Sequence, residues 1–100
     1  MFGMGQGGVN TLLDISAPVV VKAAPGAVYT ITVYGTLTAG ALVINDCTTT
    51  GAAAAANQIA SIPYASLQPG TPVPLYAFPC LTGIVISAVP TGATVGIAYA

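Results

Sequence analysis

Hydrophobic and polar positions alternate with a period of two through much of this chain. In the run Val28-Tyr29-Thr30-Ile31-Thr32-Val33-Tyr34, the alternation places Tyr29, Ile31 and Val33 on one face of a strand and Thr30 and Thr32 on the other. Gly35 ends the run. After a Thr38-Ala39-Gly40 turn, Ala41-Leu42-Val43-Ile44 makes the next one and stops at Asn45-Asp46, so the two are expected to lie side by side as antiparallel strands. Pro18 to Lys22 is a short β-branched run bounded by proline. Near the end, Gly83–Val89 and Ala93–Tyr99 predict a hairpin around Pro90-Thr91-Gly92. In its last strand Val95, Ile97 and Tyr99 share one face, while Thr94, Gly96 and Ala98 make the other face small and nearly flat.

Two stretches break the pattern. Thr48 to Ala60 holds five consecutive alanines, Ala52 to Ala56, behind three threonines that are able to cap a turn. A helix that short is marginal in water without packing. The stretch is therefore expected as a small-residue loop or single turn leading into a strand at Gln58–Ile62. Pro63 to Pro79 carries five prolines, which confines it to extended loops or an edge strand, with Val73–Phe78 the candidate. Seven or eight short strands at roughly ten-residue spacing, joined by Gly, Pro and Thr turns, predict an all-β fold: a small antiparallel β-sandwich or barrel, jelly-roll-like. The first ten residues, with four glycines, read as a flexible arm carrying Phe2 and Met4, and residues 11–100 as a single β-sandwich domain.

Charge changes the picture more than length does. Only 3% of the 100 residues are charged, against about 25% in an ordinary soluble domain, and 55% are hydrophobic. With Asp14, Lys22 and Asp46 alone, the net charge is −1, which gives little repulsion between copies. Much of the outside is therefore expected to face other protein subunits, with homo-oligomers among them. A membrane span is not expected, because the best apolar window, Ile15–Tyr34, is broken by Pro18, Lys22, Pro25 and Gly26. The start lacks a basic region and a continuous apolar core, so no signal peptide is read and the cytoplasm is the expected place of synthesis. One basic side chain leaves no electrostatic footprint for nucleic acid.

Candidate chemistry is sparse. The absence of histidine rules out Ser-His and Cys-His nucleophile pairs and the commonest metal ligand, so no enzyme, metal or cofactor is expected. Cys47 and Cys80 fit buried free thiols in a reducing compartment, with one disulfide the alternative. Asp14 and Asp46 stand at strand ends beside turn residues, where Asp caps backbone N–H groups. The five tyrosines suit core or interface positions, and a sugar-stacking platform is the rival use. The contact surfaces expected are the arm, through Phe2 and Met4, and the small face of the last strand, Thr94, Gly96 and Ala98.

The succession Val28–Val33, Ala41–Asp46, Asn57–Pro63, Phe78–Ile86 and Gly92–Tyr99 resembles, over residues 17–100, the small virion structural proteins of tailed bacteriophages: head-decoration, cement and head-fibre proteins. The resemblance implies a compact β-sandwich, clustered as trimers on the capsid surface, that binds the major capsid protein where subunits meet and stabilises the head shell. Members of that family carry more charge than this chain, and its glycine-rich start does not match them. The alternatives are a host-glycan-binding module of a phage fibre or spike, and a self-assembling tail or fibre subunit.

Overall fold

The computed structural model describes residues 10–100. Eight strands form two four-stranded antiparallel sheets: β1 (Asn10–Ile15), β2 (Val19–Lys22), β3 (Gly26–Ala39), β4 (Ala41–Asn45), β5 (Gln58–Pro63), β6 (Val73–Cys80), β7 (Ile84–Ala88) and β8 (Thr91–Tyr99). The expected arm lies outside the described residues except for Asn10, which opens β1.

The first sheet runs β1-β8-β3-β6 and the second β2-β7-β4-β5. The pairs β1·β8, β2·β7, β3·β6 and β4·β5 are nested, as in one long hairpin rolled around itself. This is jelly-roll connectivity in a β-sandwich, and it corrects two expectations. β3 and β4 are not neighbours, and β7 and β8 do not form a hairpin; each pair spans the two sheets. The intervening turns carry the chain across the sandwich instead of back beside itself. Gly40 does so with φ +86; after the second turn Gly92, at the start of β8, takes φ +85 in a spot where a Cβ would strike the Thr36 carbonyl.

The inward faces meet in one core. Val28, Ile31, Val33, Val95 and Ile97 from the first sheet pack on Leu42, Ile44, Ile84 and Ile86 from the second, all essentially out of contact with water. Burial of each such side chain contributes about 1.5–3 kcal/mol. A third correction follows from register. Val28 pairs with Tyr99 and Thr30 with Ala98, so Tyr29 is an extra residue in a bulge. The bulge turns Val28 inward with Ile31 and Val33, and Tyr29 stays half-buried outside the core.

The alanine-rich stretch folds as two short 3₁₀ turns, Thr50–Ala52 and Ala55–Asn57, the first capped by the Thr49 hydroxyl accepting the Ala52 N–H at 3.2 Å. β6 is an edge strand, as its prolines dictate.

Candidate functional site

Thr94, Gly96 and Ala98 do share the outer face of the first sheet, where β3 sets Tyr34, Thr32 and Thr30 opposite them. Phe2 and Met4 lie outside the described residues. The small-residue face is narrower than alternation suggests, because β1 lies along its other side. A Cβ on Gly96 would sit 3.0 Å from the Thr32 hydroxyl and 3.1 Å from Leu13 Cδ2, so Leu13 lies across the space that Gly96 leaves. Thr11, Leu13, Thr30, Thr32 and Ala98 rim a shallow apolar hollow of about 160 Å³ over this glycine.

Apolar side chains also crowd the surface elsewhere. Leu13 is 69% exposed, Leu81 77% and Tyr76 85%; Tyr34 and Phe78 are about half exposed, and Val20 and Tyr64 somewhat over a third. Tyr76 owes its position to the backbone. Between the pairs Val28–Phe78 and Thr30–Pro74, β3 holds Tyr29 alone while β6 holds Leu75, Tyr76 and Ala77. Tyr76 and Ala77 take the left-handed conformation, with φ of 55° and 58°, and the ring is thrown outward.

Asp46 is a clamp. Its Oδ2 accepts the Leu81 N–H at 2.9 Å; Oδ1 accepts the Thr82 N–H and hydroxyl, each at 2.9 Å, and the Gly83 N–H at 3.2 Å. Partial burial works against the charged form. The Leu81 and Thr82 N–H groups, the Thr82 hydroxyl and the Gly83 N–H outweigh it and lower the pKa from 3.8 to about 2. The carboxylate joins the end of β4 to the turn that enters β7. Asp14 stands in β1 with φ 60°. Both thiols are free and buried, and burial, with the Asp46 charge behind it, pushes the Cys80 thiol up to about 11.

A polar cluster on the outer face of the second sheet escapes sequence reading. Asn45 is buried and donates through Nδ2 to the Ala54 carbonyl at 3.0 Å and to Asn57 Oδ1 at 2.7 Å, while its own Oδ1 accepts the Ser87 hydroxyl. Asn57 Oδ1 in turn accepts the Ala54 N–H at 3.0 Å. These bonds fold the alanine-rich segment back toward the sheet, next to an open hollow of about 350 Å³ lined by neutral groups including Thr50, Gln58 and Ser87. Only the twelve-residue spacing from Asn45 to Asn57 hints at the pairing, and such spacing has no general meaning.

Among the described residues, no group of three or more His, Cys, Asp or Glu gathers to hold a metal, and no helix is long and apolar enough to cross a membrane. No protein-family model, curated protein or solved structure matches the chain.

Proposed function

We propose that this protein is a non-enzymatic structural subunit of a virion, a decoration or cement protein bound between capsid subunits on the head shell of a tailed bacteriophage. The supporting observation is the surface: a chain with 3% charged residues leaves Leu13, Tyr34, Tyr76, Phe78 and Leu81 standing in water. Covering such side chains returns roughly 25 cal/mol per Å² before the costs of association. A shell contact of this kind adds buried apolar area without adding chemistry, and it tightens neighbouring capsid subunits against internal pressure. Jelly rolls serve in viral shells and also in lectins, so the fold admits this role without assigning it. The resemblance adds trimeric clustering.

The test is binding to particles. Purified chain mixed with virions of the encoding phage stripped of it is expected to co-sediment with heads and to raise their rupture temperature. A protein that stays in the supernatant as a monomer at every concentration ends this reading. A second reading, a glycan-binding module, draws on the nearly full exposure of Tyr76. Glycan-array binding that is lost in Tyr76→Ala and Tyr64→Ala would favour it.

A further inference from the structure

An open sheet edge invites another strand, and proteins guard their edges with prolines, charges, bulges or shortness. Among the described residues the sandwich has four edges, β1 and β6 in one sheet, β2 and β5 in the other. Three are guarded. β1 is bulged between Leu12 and Ile15, where Asp14 is left-handed. β2 has four residues, a register shift and Lys22. β6 contains Pro74 and Pro79 and the left-handed pair Tyr76-Ala77.

β5 has no comparable guard along its middle. Its sequence, Gln-Ile-Ala-Ser-Ile-Pro, carries no charge; its register shift lies at the Gln58 end and its proline at the other. The Tyr64 N–H donates to the Gly40 carbonyl at 2.9 Å, continuing the register that pairs Ile62 with Leu42 and Ala60 with Ile44. Antiparallel alternation then turns the N–H and C=O of Ser61 to the open side. Along the same strand Ile59, Ala60 and Ile62 pack against the core yet remain half-exposed.

We infer that β5 pairs with β5 of a second copy of this chain, antiparallel about a two-fold axis close to Ser61. Self-pairing fits for three reasons. A two-fold sets Ser61 against the second copy's Ser61, so each N–H meets the other's C=O. It places no like charges opposite each other, since the strand bears none. It also covers the half-exposed isoleucines and makes the β2-β7-β4-β5 sheets of two copies into one continuous sheet. This contact is independent of shell binding, and it differs from threefold clustering in its mass.

The test is sedimentation equilibrium of the full chain with variants at Ser61. The wild type is expected to show a reversible species of twice the 9.8 kDa chain mass. Ser61→Pro removes the N–H, and Ser61→Lys sets two cations face to face; each is expected to weaken the dimer about tenfold or more, with far-UV circular dichroism unchanged. Ser61→Thr is expected to dimerise like the wild type. If Ser61→Pro unfolds, Ser61→Lys decides the matter. A wild type that is monomeric throughout, or an oligomer of any mass that both Pro and Lys leave intact, overturns the inference. Head binding that survives in a monomeric Ser61→Lys leaves the shell role standing and separates the two.

Discussion

The Asp46 carboxylate accepts the Leu81 backbone N–H at 2.9 Å across 35 residues of chain, fastening the end of β4 to the turn before β7. Bonds to a charged acceptor are the stronger kind, though this one is partly open to solvent. Asp46→Ala is therefore expected to destabilise the fold by on the order of 1–2 kcal/mol in urea titrations.

The same carboxylate sets an acid limit. Its folded pKa is lowered from 3.8 to about 2, so the charged form is the one that the fold favours. The stability it supplies is complete above pH 3.8 and fades as pH falls toward about 2. Thermal melts of the wild type are expected to drop through that window. Asp46→Asn, less stable at neutral pH, is expected to lose this part of the slope.

Asn45 is out of reach of water, and all its partners are internal. Asn45→Ala takes the Nδ2 donor from the Ala54 carbonyl and from Asn57 Oδ1 and leaves the Ser87 hydroxyl only the Val43 carbonyl at 3.5 Å, at an expected cost of about 1–3 kcal/mol. Ser87→Ala leaves Asn45 Oδ1 without its donor. A double-mutant cycle on the two is expected to show coupling of roughly 0.5 kcal/mol or more. Strict additivity would mean that the bond does little.

Tyr76 and Ala77 hold a conformation that L-residues resist. Ala77→Gly is expected to stabilise the protein slightly, by up to about 1 kcal/mol, because relief of strain exceeds the added freedom of the unfolded chain. Ala98→Gly, in a regular strand, is expected to do the opposite. The two midpoints in chemical denaturation check the sign.

The thiols offer a fifth measurement. Cys47 and Cys80 are buried, and the Cys80 thiol is raised to about 11. Neither is expected to react with a thiol reagent at mild alkaline pH until the fold opens, when both label. Rapid native labelling of Cys80 would contradict this placement.

Alternation does not single out β1 as a strand, and Asn10 reads as part of the arm. It was enough to read most strands from β3 onward, because side chains that face a core and side chains that face water obey a period of two. Val95 and Ile97 on β8, and the edge position of β6 with its prolines, were legible in that way. Pairing was not. A turn at Gly40 or at Pro90-Thr91-Gly92 looks the same in sequence whether the next strand lies alongside or across the sandwich. The partner that decides, such as β8 for β3, is remote in the chain. The Tyr29 bulge, the position of Leu13 over Gly96 and the Asn45 cluster likewise depend on neighbours that no local pattern names. Asp46 was readable as a cap for backbone N–H groups, while its acceptance of donors at Leu81–Gly83 was not.

The rolled-hairpin connectivity has a consequence for biosynthesis. β8 lies between β1 and β3, yet the ribosome makes it after the other seven strands. Until it emerges, β1 lacks its partner and β3 has a neighbour on one side alone, with Val28, Ile31 and Val33 waiting to be covered. Folding must therefore come after translation of this stretch, and the nascent chain carries a sticky, uncharged β3 that nearby nascent copies are able to capture.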